Sequence, residues 1–318
     1  MGSSTSAYVS TGEPCRVAQN PDTKVLYVGK QASGLPPIPK VIWTYWAGSA
    51  LPALAKACVL SWMHYHPSWQ VRVLTPENLT QYLSPTELDM KSIQWVDSRA
   101  RESDIARINV IAKHGGVWLD ATLLLAAPMK FIETIETEGE GPAFAGYYLQ
   151  QFTLTPCLPV VENWAFAARP GSVFVRKWRD AFMATPNVPS GPSMHLAALR
   201  SAGVTGERIP AGAQHYLLMH MVALSVLQNT PADDLSMELH PAELGPFKYL
   251  VDTAYGPEGW SSLNGSIQLL RTFHPRRNSA GPVQYESYKM RNRERGFLPP
   301  CSQHLLLTRM QYAAMEQP

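Results

Sequence analysis

Residues 40–46 read KVIWTYW, a run that alternates and is rich in β-branched and aromatic side chains, as a buried strand is. A turn at 48–52 leads into 53–65, where apolar residues recur at helical spacing until Pro67 stops them. A second strand is predicted at 69–74 and a short helix at 77–82. The alternation of strand, helix and strand predicts a sheet covered by helices. The next helix is expected over 103–114, with Ser103 as its cap, Ile105, Ile108 and Ile111 on its buried stripe, and Gly115-Gly116 as its stop. A strand at 117–119 then ends on Asp120. Further strands are expected at 143–148 and 163–168, and helices at 173–184 and 214–227. Residues 1–35 are rich in Ser, Thr, Gly and Pro, with one short strand pattern at 24–28, and read as a loose extension. From 231 onward Pro and Gly interrupt the periodicity. The domain plan is therefore 1–35 as extension, 36–250 as the main domain, and 251–318 as a segment packing on or closing it.

Composition narrows the classes. The 318 residues carry 27 Lys and Arg against 25 Asp and Glu, a net charge of +2, and 45% are hydrophobic. That balance excludes a disordered chain or one that coats nucleic acid. Residues 271–295 hold seven Lys and Arg against two Glu, a local excess read first as a solvated face. The longest nearly apolar run, 217–227, is interrupted by His220 and falls short of the about 20 residues that a bilayer crossing takes. No apolar leader is visible at the start. The cysteines, Cys15, Cys58, Cys157 and Cys301, are far apart, which suggests reduced thiols and no zinc spacing. These features together predict a cytoplasmic protein, or one peripheral to a membrane.

The chemistry concentrates in 103–122. Asp104 and Arg107, three apart, share a helix face. The following strand delivers Asp120 at its carboxyl end, where open α/β sheets bind ligands. A nucleoside diphosphate needs carboxylates for ribose hydroxyls, positive charge for phosphates and close backbone approach, and this segment offers candidates for each. The bland alternatives are a surface ion pair for Asp104 and Arg107, a turn cap for Asp120, and a core role for Trp43. His64 and His66, on different faces of a helix end, read as structural rather than as a metal pair.

IPKVIWTYW, SWMHYHPSW, SD-x-x-R and GGVWLDAT, in that order over 38–180, resemble glycosyltransferase family 32, in its capsular polysaccharide synthesis protein branch. A weaker echo lies at 245–250. The resemblance implies an α/β GT-A-like, Rossmann-like α/β/α sandwich with an irregular C-terminal extension. It implies transfer of a hexosyl or N-acetylhexosaminyl group from a nucleotide sugar, UDP-sugar ahead of GDP-sugar, to an acceptor hydroxyl with retention of configuration. The alternative is a catalytically weak nucleotide-sugar or glycan-binding module on the same fold. By resemblance, Trp43, ahead of Trp46, faces the base. Ser103, Asp104, Arg107, Gly115, Gly116, Asp120, Thr122 and Lys248 bind the donor. Asp120, with Glu162 and Asn163 at the sugar, forms the catalytic set, and Trp164 stacks beneath an acceptor. Asp120 and His274 would hold Mn²⁺ or Mg²⁺, although the D-x-D pattern here reads Asp120-Ala121-Thr122 and a Thr hydroxyl is a poor ligand for a hard cation. Lys248, Arg276 or Arg277 are cationic substitutes.

Overall fold

A computed structural model describes residues 17–247, less 31, 33, 49, 85–89, 91, 126, 137–140 and 207, together with the backbone of 267–273 and 288–291. Strands β1 (Val17–Gln19), β2 (Leu26–Gly29), β3 (Val41–Tyr45), β4 (Gln70–Leu74), β5 (Gly116–Leu119), β7 (Phe144–Tyr148), β8 (Val161–Ala168) and β9 (Ser236–Pro241) form one mixed sheet in the order β1-β2-β9-β7-β8-β5-β3-β4. A second sheet pairs β6 (Leu123–Leu125) in parallel with β10 (Ile267–Phe273), which pairs antiparallel with β11 (Tyr288–Arg291). The α/β class expected from the sequence is what is found.

The positioning unit is the parallel trio β5-β3-β4. Helix α1 (Ala53–Tyr65) links β3 to β4, and α2 (Arg99–His114) links β4 back past β3 to β5. Right-handed crossovers in opposite directions place these helices on opposite faces of the sheet. On the α2 face lie α3 (Val173–Met183) and α5 (Leu218–Gln228), with α4 (Gly191–Ser201) against α5; on the α1 face lies β6. Six tryptophans, Trp43, Trp62, Trp95, Trp118, Trp164 and Trp178, are at most 2% exposed and pack in the core.

Three expectations need correction. Helix α2 begins at Arg99, not Ser103, and its cap is Ser98, whose Oγ accepts from the Arg101 amide at 3.3 Å. Residues 17–29 do not lie in a loose extension: β1 and β2 extend the main sheet beside β9. Cys58 is a buried free thiol, pushed up to about 12 by burial, but Cys157 is disulfide-bonded, so the chain does not carry four reduced thiols. No helix among the described residues is long and apolar enough to cross a membrane.

Candidate functional site

Helix α2 follows β4, so its first turns lie at the carboxyl end of the parallel strands, where β3 and β5 also stop. Tyr45, the last residue of β3, donates its hydroxyl to Glu102 Oε2 at 3.0 Å and closes that end. Antiparallel β8 starts here as well, because Leu119 pairs with Ala165 and the Asp120 amide donates to the Trp164 carbonyl at 2.9 Å. Asp120 then opens a turn to β6, with the Leu123 amide on its carbonyl at 3.0 Å.

That turn is pinned from the α1 face. Trp62 Nε1 donates to the Leu123 carbonyl at 2.7 Å, Ser61 Oγ accepts from the Leu125 amide at 3.0 Å, and His66 Nε2 accepts from the Met129 amide at 3.0 Å. His66 must therefore be neutral with its proton on Nδ1, and burial lowers its pKa in the same direction. His66 is structural, as its place at a helix end suggested, whereas His64 is exposed with its ring edge-on to Tyr65.

Five of the residues singled out from the sequence meet directly. Arg107 Nη2 donates to Asp120 Oδ1 at 2.8 Å and to Ser103 Oγ at 3.1 Å. Its Nη1 donates to the Asn163 carbonyl at 2.9 Å and lies 3.3 Å from Asp104 Oδ1. Asn163 Nδ2 donates to the same Asp104 oxygen at 3.0 Å. Trp118 supports both partners: its Nε1 donates to Asp120 Oδ1 at 2.9 Å, and the Arg107 guanidinium lies 5.3 Å from its ring centre. The side chains of Arg107 and Asp104 are 5% and 11% exposed, and that of Asp120 is 26% exposed. The solvent-facing side of the cluster is therefore formed by Asp120, Asn163, Thr122 and Ser103, each half-buried, over a buried acid–base pair. Burial raises the Asp104 carboxyl above its ordinary value, against the downward pull of Arg107 and Arg101.

The contacts decide where a ligand can lie. The acid–base couple and Asp120 do not face each other across a gap wide enough for a pyrophosphate. They are hydrogen-bonded, and a ligand must lie on their exposed side.

Other candidates are not brought to that side. Trp43 is 2% exposed; its Nε1 donates to the Gly115 carbonyl at 3.1 Å and its ring stacks on His114, so no base can reach it. Trp46, ranked behind it, is half-exposed just past the carboxyl end of β3, with Nε1 on the Ala50 carbonyl at 3.1 Å. Packing requires Gly115 and Gly116. At φ +67° and +97°, a Cβ on Gly115 would meet Pro170 Cδ at 2.8 Å, and one on Gly116 the Val41 carbonyl oxygen at 2.7 Å. Strand alternation turns Glu162 and Trp164 away from Asn163. Glu162 pairs with buried His220 at 3.0 Å, and Trp164 stacks on Tyr147 at 5.1 Å. Lys248, His274, Arg276 and Arg277 lie outside the described residues.

Two members of the cluster escaped the sequence reading. Arg101, 4% exposed, lies with Nη1 3.8 Å from Asp104 Oδ2 and donates from Nη2 to the His215 carbonyl at 3.1 Å. Met219, at the start of α5, touches Asn163 Nδ2 with its sulfur at 3.4 Å. Arg101 stands three residues before Asp104, so helical spacing was the signal that pointed to it.

Residues 21–184, more than half of the chain, match the family described as capsular polysaccharide synthesis protein. The chain belongs to this family. The matched stretch contains β3, α2, β5 and the whole Asp104–Arg107–Asp120–Asn163 cluster. Among curated relatives, the glycosyltransferase afumC of Aspergillus fumigatus is 28% identical over 53% of this chain and 48% of its own length. The O-glycosyltransferase braB of Annulohypoxylon truncatum is 22% identical over 45% of this chain and 37% of its own. The chain thus matches less than half the length of either. The solved structure of the PaToxG glycosyltransferase aligns with 64% of this chain and 82% of its own at 14% identity and a TM-score of 0.36, a likeness too slight to bear on the site.

Proposed function

We propose that this family member is a glycosyltransferase. It takes a hexosyl or N-acetylhexosaminyl group from a nucleotide sugar, a UDP-sugar ahead of a GDP-sugar, and passes it to an acceptor hydroxyl with retention. The observation that carries this reading is the convergence of Asp104, Arg107, Asp120 and Asn163 at the carboxyl ends of β3 and β5, within the stretch that matches the family. Two curated relatives named as glycosyltransferases support transfer, and the printed name O-glycosyltransferase of one supports a hydroxyl acceptor.

Breaking a glycosyl–phosphate bond puts negative charge on the departing diphosphate and positive charge on the anomeric carbon, so fixed dipoles and charges beside both lower the barrier. Asp120 and Asn163 are the exposed polar groups for ribose and sugar hydroxyls. Arg107 holds both of them, through the Asp120 carboxylate and the Asn163 carbonyl, so the two move as one unit. Half-exposed Trp46 at the end of β3 offers a ring face for the base.

Isothermal titration of the full chain against UDP- and GDP-sugars tests this. Saturable binding that Asp120→Ala weakens at least about ten-fold (about 1.4 kcal/mol) is the expected result. Unchanged affinity in that variant would sink the assignment. Thr122, in place of a second carboxylate, favours one other reading, a binding module without turnover. Donor binding with no loss of nucleotide sugar across a panel of hydroxyl acceptors would select it.

A further inference from the structure

The resemblance implies a divalent cation on Asp120 and His274, with Thr122 standing where the D-x-D pattern has its second carboxylate. Among the described residues, those around Asp120 do not fit that ion; His274 lies outside them. Position 122 is a half-exposed threonine in the turn. Asp120 Oδ1 already accepts from the Arg107 guanidinium at 2.8 Å and from Trp118 Nε1 at 2.9 Å. Among the described residues, no group of three or more His, Cys, Asp and Glu side chains could hold a metal ion.

Charge gives an independent argument. A hard dication is held where carboxylates outnumber cations, because their excess charge offsets the cost of dehydrating it. Among the described residues, the buried Asp104 and the half-buried Asp120 are matched one for one by Arg101 and Arg107, while Asp97, 3.8 Å from Arg101 Nε, is 50% exposed and its charge is screened by water. The Arg107 side chain lies between the two carboxylates, and that of Arg101 lies 3.8 Å from Asp104. Adding a dication would leave a cluster with two buried guanidiniums two charges in excess. The guanidiniums also have donors to spare: Arg107 Nε and both Nε and Nη1 of Arg101 are buried without a hydrogen-bond partner. Buried donors of this kind keep their positive potential undiminished by water.

We propose that the site carries its own cation: Arg107, backed by Arg101, takes the electrostatic place of the divalent ion on Asp120, and the nucleoside diphosphate binds without metal. In a two-carboxylate site the metal bridges two anions that would otherwise repel, the protein's and the ligand's. With Asp120 neutralised from behind by a fixed guanidinium, that bridge is unnecessary. The diphosphate meets a neutral polar surface with a positive charge one side chain below it. Arg107→Lys is not a conservative change here, since the planar fork serves Asp120, Ser103 and the Asn163 carbonyl together.

The identity of the ligand rests on the proposed function, but the statement about Asp120 does not. Two titrations of the full chain separate them. In the first, Mn²⁺ is titrated alone and with UDP present, and free Mn²⁺ is read by electron paramagnetic resonance. The expected result is no binding tighter than about 1 mM that Asp120→Asn removes. In the second, UDP-glucose and GDP-mannose are titrated in EDTA and in Mn²⁺, and the affinities should agree within about three-fold. Mn²⁺ binding below about 100 μM that is lost in Asp120→Asn would overturn the inference, as would a ten-fold or greater tightening of nucleotide by Mn²⁺. Mn²⁺ binding unaffected by Asp120→Asn lies elsewhere and upholds it. No nucleotide binding in either buffer, with no Asp120-dependent Mn²⁺ binding, would overturn the donor assignment while upholding what is said of Asp120.

Discussion

Asp104 is enclosed by Arg101 and Arg107, the Asn163 amide and the Asp120 carboxylate, with His220 close enough to act on it through its charge. A carboxylate so placed is held by its partners, and the partners by it. Asp104→Ala removes the anion between two buried guanidiniums and should cost about 3 kcal/mol in urea unfolding. Asp104→Asn keeps the shape and an acceptor for Arg107, and should cost less than half of that. Because burial raises the folded pKa of Asp104 above its ordinary 3.8, the folded protein binds this proton more tightly than the unfolded chain does. Its stabilising contribution is therefore greatest below that value and is lost as pH rises through the folded one. The stability gap between wild type and Asp104→Asn should accordingly narrow between pH 4 and neutrality, which urea melts at several pH values check. Asn163 differs from Asp104 in being half-exposed. Asn163→Ala should leave the melting temperature nearly unchanged while weakening nucleotide-sugar binding several-fold, and an equal loss of both would reduce Asn163 to a packing residue.

At the scale of elements, α1 matters to the site through the backbone it holds. Its Trp62, Ser61 and His66 bond the backbone at Leu123, Leu125 and Met129 and thereby hold the turn that begins at Asp120. Burial lowers the pKa of His66, and of His195 on α4. Each of these rings is neutral when folded and must be kept so. Their contribution is present above the unfolded value of 6.5 and is lost as pH falls through the folded one. The melting temperature should drop between pH 7 and pH 5. His66→Gln, which keeps an acceptor near Nε2 but cannot titrate, should flatten that drop.

How legible these elements were depended on how local their signals are. Helix α1 was read to both ends because its apolar spacing and Pro67 are local features. The start of α2 was missed because Ser98 and Ser103 are both competent caps and the turn between them, Arg99 to Glu102, is charged; only tertiary packing buries Arg101. Strand β9 was hidden by Glu238 and the terminal Pro241, since the contact of His240 Nε2 with Glu238 Oε1 at 2.8 Å that gives this carboxylate a partner cannot be seen in a pattern. Trp43 and Trp46 illustrate the same limit. Strand β3 is buried on both faces, so alternation does not separate them, and only the point where the strand leaves the sheet exposes Trp46. In the cluster, Asp104, Arg107 and Asp120 were accessible through spacing and strand ends. That they bond directly, with Arg107 between the carboxylates, depended on side-chain geometry.

For the whole molecule, the question is where the folded unit begins. Composition placed 1–35 outside it, yet Leu26 is fully buried and pairs with Leu239 of β9, Val28 pairs with Met237, and the Tyr148 hydroxyl donates to the Lys24 carbonyl at 2.7 Å. β2 lies between β1 and β9, so it covers the edge of β9 that would otherwise be open to pairing with another chain. The polar composition misled because a short strand at a sheet's flank needs only two or three buried side chains, and Ser, Thr and Gly around it carry no periodicity. The two placements differ sharply in energy. A leucine in a loose extension can be truncated within about 0.5 kcal/mol, whereas a fully buried one that leaves a cavity costs about 3 kcal/mol. Leu26→Ala should therefore lower the urea midpoint with little change in its slope, the mark of lost stability without a change in the surface exposed on unfolding. Tyr27, on the opposite face of the same strand and 41% exposed, is the internal control, and Tyr27→Ala should move the midpoint far less. Equal and negligible shifts in both would place the start of the folded unit after β2.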